Sequence, residues 1–541
     1  MRGALRWVGL ACASLHCGGA SGDATDTDGA ADTSGVGADT DACAPDVAGT
    51  WETLGEGYVR TWCTPCHAGS LSGDARAGAP AGVDFDGLDD VHRWLDAIVE
   101  AATTTDGGSP RMPPGGGPSA ADVAAFAAWL ACDAPGEVAA PEACAVARIE
   151  PGDVTLSSPE NVAAFCGRAN TVGGALVVAT DAPIACVCDV YGEVSIGGAA
   201  TALVAPQLVG IGGALRLGAV GLQTVDLPAL RSVAGDLDLR GAAGLAALSL
   251  PALREVAGSV WADRGSALAT LSLPELASVG GDVRLIDASA LATLAMPRLG
   301  TVGGGLVLSG LTSWATWVDF ASLRSVGGDV VLTRDAQITN VEGINQLASV
   351  GGDVVFSELD ALDGLSGLND LVNVGGSLRI VDDPMLRGVD GFLRLETVGK
   401  ALEIARAPQL VAVNGFGAVS RVGVEGDWVY GEHRLAWTDV PALTRAPTMS
   451  GLTRVGALEV LRADALDALD FPSLVVVDRQ LAVVQVGGLR TLNGLAAVRR
   501  IGTDVAITGN PALPSAAVEA FLAAVGEGNI GGEVTAQNNG P

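Results

Sequence analysis

Cys63, Cys66 and His67, in "RTWCTPCHAGS" (residues 60–70), form the most chemically specific grouping in the chain. Two thiols three apart, followed at once by an imidazole, fit a zinc half-site, a redox dithiol, a disulfide or a covalent haem attachment. A structural zinc site needs four ligands. A second CxxC is absent, and of the four histidines, His16 falls in the leader and His433 far down the chain, leaving His67 and His92. A thioredoxin-like dithiol needs a βαβ setting, whereas the flanks here carry helical spacing. A plain disulfide leaves His67 unused. Covalent haem uses all three residues: the thiols as thioethers to the vinyl groups, and the imidazole as the proximal iron ligand.

The elements that must hold this turn are short. "TWETLGEGYVRTW" spaces Trp51, Leu54, Tyr58 and Trp62 by three and four residues. "DDVHRWLDAIVEAA" puts Val91, Trp94, Leu95, Ile98 and Val99 on one face. "SAADVAAFAAWLAC" opens on Ser119 as an N-cap and carries Val123, Phe126, Ala127 and Leu130 as a stripe. Three such helices in residues 50–133 make a small core, which a covalently held porphyrin would complete. The tryptophans at 62, 94 and 129 are expected to pack around it or between the helices.

Residues 50–133 resemble a small bacterial class I c-type cytochrome, in which CxxCH is followed by "MPP" and a C-terminal helix. The resemblance implies one haem c bound through Cys63 and Cys66, with His67 and Met112 as axial ligands. Met112 stands 45 residues after His67 (112 − 67) in "GGSPRMPPGGGPS", where prolines would steady a soft thioether ligand. His92 is the competing sixth ligand, but it lies off the apolar helix face. A His/Met haem leaves no open iron position, which implies one-electron transfer rather than substrate chemistry. No Ser-His-Asp arrangement or Walker loop occurs, so no enzyme activity is expected.

The N-terminus reads as an export signal. Arg2 and Arg6 precede a short apolar run from Trp7 to Leu15, closed by cysteine. This resembles a bacterial lipoprotein signal ending at Cys17, with Cys12 as the alternative lipidated residue; an ordinary cleaved signal without lipid is the third reading. Residues 18–49 are an Asp/Thr/Gly/Ala tether with almost nothing to bury. No later run reaches about 18 uninterrupted apolar residues, so the only expected membrane attachment is a lipid anchor. Ten cysteines, all within the first 188 residues, suit an oxidising compartment. Outside the signal and the CxxCH stand Cys43, Cys132, Cys144, Cys166, Cys186 and Cys188; they allow 15 pairings, among them Cys43 with Cys132 across the ends of the haem domain. The expected location is the periplasm or cell surface. Acidic residues outnumber basic ones by 62 to 31, which excludes nucleic acid as a partner.

After a linker over 134–149 the pattern becomes periodic. "LASVGGDVRL", "LRSVGGDVVL" and "LVNVGGSLRI" are copies of one motif. Its marker Val or Ile falls at 211, 233, 256, 279, 302, 326, 350, 374, 398 and 422, then at 455, 477 and 501. The steps of 22–24 residues predict a solenoid, and the longer step from 422 to 455 predicts an insertion of about ten residues in one coil. Short runs such as "DVVL" suit strands with one face inward. A helix starting near Ser158, with Cys144 and Cys166 placed to staple it, and "PSAAVEAFLAAV" are read as end caps. Residues 150–535 resemble the leucine-rich-like right-handed β-helix of receptor L domains, with more uniform coils. The fold class expected is thus a small all-α cytochrome c domain followed by an all-β right-handed solenoid.

Two functions follow as expectations. One is an exported haem protein that passes single electrons to a redox partner in the cell envelope, with the solenoid as docking or binding scaffold. The other is a surface adhesion protein whose solenoid holds a protein or glycan ligand and whose haem is accessory.

Overall fold

The structure, a computed structural model, describes residues 51–55, 58, 59, 63, 67, 76, 85, 88, 91, 95, 98, 105–106, 109–110, 120–131, 144 and 146–541, the last range without 264–266, 315–319 and 424–432. The chain divides into two compact units, Met1–Glu142 and Ala143–Pro541. The leader, the tether and most of the linker lie outside the described residues.

The second unit is an all-β solenoid of about fifteen turns over residues 149–508, with coils of about 23 residues. Every marker Val or Ile sits in a two-residue strand, and these strands stack into one parallel ladder of sixteen. In each pair the marker points inward and is buried, as in Ser278–Val279 and Thr301–Val302. A second parallel ladder runs beside it, from Val154–Leu156 to Val534–Gln537. Its strands alternate by the period-two rule: Val283 and Leu285 are buried, while Arg284 lies between them on the outer side. A third side is built from shorter ladders such as Ala247–Ser249, Thr270–Ser272 and Thr293–Ala295. No coil can bury its own apolar side, so stacking is what creates the core.

The corner between the first two ladders explains the "GGD" motif. A Cβ on Gly351 would lie 2.1 Å from the Gly327 carbonyl oxygen of the preceding coil. The backbones meet so closely at Gly351 that a side chain there would force the coils to shift. The following Asp353 accepts the backbone N–H of Ser377, one coil on, at 2.7 Å, and Asp329 does the same for Asp353. The carboxylates thus tie coil to coil where the strands give way to the turn.

The insertion lies at this same corner. Val398 to Leu402 is four residues, whereas the paired Val422 to Leu435 is thirteen, nine more. His433 ends up buried where the inserted segment rejoins the coil.

The N-terminal end of the solenoid is covered by helix Pro159–Arg168, which buries Val162 and Phe165 against the core and whose Ser158 side chain accepts the Asn161 N–H as N-cap. Two disulfides hold this end, Cys144–Cys188 and Cys166–Cys186. The helix is therefore stapled through Cys166 to Cys186, and Cys144 is spent on Cys188 instead. At the other end, helix Ser515–Val525 buries Val518, Phe521 and Val525 against the core.

Candidate functional site

In the first unit the helical turn Trp51–Gly55 packs against helix α1 (Ala120–Ala131). A Cβ on Gly55 would lie 2.5 Å from the Trp129 ring, so the glycine lets the indole sit directly on the backbone. Tyr58 stacks on Phe126 with ring centroids 3.8 Å apart, and Trp51 leans on Trp129 at 6.1 Å. Val91, Ile98 and Leu130 complete the core with Val59 and Phe85. Of the residues read from spacing, Trp51, Leu54, Tyr58, Val91, Leu95, Ile98, Phe126 and Leu130 lie in this cluster, while Trp62, Trp94 and Val99 lie outside the described residues.

Cys63 and His67 stand one helical turn apart. The Cys63 N–H donates to the Val59 carbonyl at 2.8 Å, and the His67 N–H to the Cys63 carbonyl at 3.0 Å. Cys63 packs on the edge of the aromatic core. The His67 ring stacks on Phe85, centroids 4.6 Å apart, and the Phe85 N–H donates back to the His67 carbonyl at 2.8 Å. A thiol and an imidazole thus lean on one apolar cluster. Thr105–Asp106 and Ser109–Pro110 pair as an antiparallel hairpin just before Met112. Cys66, Met112, His92, Cys43, Cys132, Cys17 and Cys12 lie outside the described residues. Among the described residues no group of three or more His, Cys, Asp or Glu side chains is placed to hold a metal ion. No helix among them is long and apolar enough to cross a membrane.

The solenoid carries a feature that the sequence reading missed. The residue after each longer strand of the second ladder adopts the left-handed conformation, as in Asp382 (φ 63°), Arg406 (54°), Asp439 (56°) and Arg462 (54°). Stacked coils set these residues in a row. Arg406 pairs with Asp382 through both Nε and Nη2, and Arg462 pairs with Asp439 in the same way. Each pair lowers its carboxylate pKa, chiefly through the guanidinium hydrogen bond. Two residues further along each coil a second row rises, with prolines at 384, 408, 441 and 511. The two rows wall a groove of about 1160 Å³. What the row shares is a backbone conformation and not a side-chain type, so the sequence repeat carries no direct signal of it.

Between the two rows an inward-facing position is polar and fully buried in three coils. Asp335, Asp383 and Asn510 are fully buried, and each accepts a backbone N–H from the preceding coil: Leu311, Leu359 and Val486 respectively. Burial pushes the Asp335 carboxyl up to about 6 and the Asp383 carboxyl up to about 7. Comparison with protein-family models, curated proteins and solved structures finds no match to this chain.

Proposed function

We propose that the chain is an exported c-type haem protein that passes one electron at a time, with the solenoid as its docking or binding scaffold. The observation that carries this reading is the Cys63–His67 turn leaning on the Phe85 cluster, with Cys66 beside His67 in sequence. Cys63 and Cys66 would hold haem c by thioethers, and His67 and Met112 would be the axial ligands. When bound, that group supplies a reversible one-electron iron couple. The Phe85 ring stacks on the His67 imidazole, and the Tyr58–Phe126–Trp129 cluster belongs to the same apolar core, beside which Cys63 and His67 would hold the group. The deciding experiment is expression with a cytochrome c maturation system and a pyridine haemochrome spectrum of the denatured chain. A c-type band surviving acid-acetone extraction is expected; its absence ends this reading.

We read the leader as an export signal with a lipid anchor at Cys17, or at Cys12, and propose the periplasm or the cell surface as the location. The coil is read as right-handed and similar to receptor L domains, because parallel crossovers overwhelmingly take that hand. A second reading makes the solenoid the main agent, as an adhesion module. The groove favours it, since a long rigid surface repeating with the coil suits binding.

A further inference from the structure

We propose that the groove between the left-handed row and the proline row binds an uncharged linear polysaccharide. This rests on the reading of the solenoid as a binding scaffold, and not on the haem. The groove runs past nine coils, from Thr312 to Pro511. At the usual strand spacing of about 4.8 Å its eight steps span roughly 38 Å. Its volume of about 1160 Å³ exceeds the range of about 300–1000 Å³ typical of small-molecule pockets. Each coil adds one residue to either wall, so the lining repeats along the axis, as a polymer ligand does.

The chemistry of the walls selects among polymers. Three arginines stand there against five carboxylates. A polyanion would meet an excess of its own sign, in a chain of net charge −31. The arginines at 406 and 462 already commit Nε and Nη2 to Asp382 and Asp439, while their Nη1 groups make no hydrogen bond among the described residues. A charged ligand would have to break those bidentate pairs. A sugar hydroxyl donates and accepts, so it can accept from Nη1 and donate to the remaining carboxylate lone pairs with the pairs intact.

An extended peptide fits less well. The left-handed residues donate their N–H groups to the next coil, as Asp382 does to the Ala405 carbonyl and Arg406 to that of Thr438. On the facing wall, proline in four of the nine coils removes the backbone donor altogether. No continuous backbone edge is left for strand addition. The same proline rings present flat C–H surface, against which the apolar faces of pyranose rings can lie. Because the groove is part of a stacked core, it is formed in advance and little is lost in ordering it on binding.

The test uses the full chain in affinity electrophoresis through gels containing hydroxyethylcellulose, galactomannan, laminarin, polygalacturonate or poly-lysine. Retardation by at least one neutral polymer is expected, with no retardation by polygalacturonate. The Arg406→Ala/Arg462→Ala double variant should weaken that retardation at least tenfold. Asp464→Lys, on the opposite wall and outside the ion pairs, should weaken it without disturbing the row. The melting profile of each variant shows that the coil is intact. Retardation by poly-lysine alone overturns the proposal in favour of a basic protein ligand. Neutral-polymer binding that survives both variants overturns it too, as does the absence of any retardation. A haem spectrum from the same preparation reports separately on the electron-transfer reading, so either can fail alone.

Discussion

The fully buried Asp383 carboxylate accepts the Leu359 backbone N–H of the preceding coil at 3.0 Å, and its other oxygen has no partner. One oxygen does structural work, and the second lies in the core unsolvated. Burial raises its pKa to about 7 from an ordinary 3.8, with Asp382 and Asp360 adding to the rise and the Leu359 hydrogen bond opposing it. Asp335 repeats the arrangement at about 6.

The sign of the resulting pH dependence is fixed. The folded state holds these protons more tightly than the unfolded chain does, so their contribution is fully favourable below about pH 4 and is lost as pH rises toward 7. From these groups, the apparent melting temperature of the solenoid is expected to fall between pH 5 and pH 8. Asp383→Asn should flatten that slope and stabilise the fold at pH 8 by up to about 4 kcal/mol, the value of a three-unit shift. Asn510, at the same coil position, shows that the amide fits: its oxygen accepts the Val486 N–H at 2.9 Å and its Nδ2 reaches the Val483 carbonyl at 3.0 Å. Thermal melts of wild type and variant across this pH range check the prediction; parallel slopes would refute it.

The coil corner makes a second prediction. Asp353→Ala removes the acceptor of the Ser377 N–H and should cost about 1–2 kcal/mol. Gly351→Ala forces a Cβ against the Gly327 carbonyl, where backbone cannot give way, and should cost about 3 kcal/mol. Urea unfolding that ranks aspartate above glycine would show the corner to be held by hydrogen bonding rather than by close approach.

Much of the solenoid was legible because one residue type recurs at one place. The marker column from Ile211 to Ile501 is the buried column of the first ladder, and the long step after Val422 is the inserted corner. The groove was not legible, because its rows use Arg, Asp, Glu, Gln and Gly interchangeably. What these residues share is a backbone conformation, and side-chain pattern alone does not display it. Asp335 and Asp383 were hidden for a related reason: carboxylates are read as solvated, and only coil stacking shows that both replace aliphatic side chains such as Leu311 and Leu359. In the first unit, spacing placed Cys63 and His67 on one turn, but nothing in it pointed to Phe85 beneath the imidazole.

The two disulfides of the N-terminal cap make a third prediction. Cys166–Cys186 closes a loop of 20 residues and Cys144–Cys188 one of 44, worth roughly 3–4 kcal/mol each in chain entropy. Each coil touches only its neighbours, so reduction should loosen the cap and the first coils and leave the far coils protected. Hydrogen exchange with and without reductant reads this directly. Uniform loss of protection along the solenoid would mean that the coils unfold as a single unit.

The proposed haem ligation makes the last prediction. In holo-protein, Met112→Ala should abolish the methionine–iron charge-transfer band in the oxidised spectrum while the covalent haem is retained, because Cys63 and Cys66 are untouched. An unchanged band would place the sixth ligand elsewhere, with His92 the first alternative. Phe85→Leu offers a finer test of the proximal side. It keeps apolar bulk in the core but removes the ring on which the His67 imidazole stacks. The imidazole then gains freedom to rotate, so the midpoint potential and the paramagnetically shifted haem methyl resonances should move while haem attachment stays complete. If Phe85 merely fills the core, the variant lowers the melting temperature and leaves those resonances in place. The two outcomes separate a residue that positions the ligand from one that only packs beneath it.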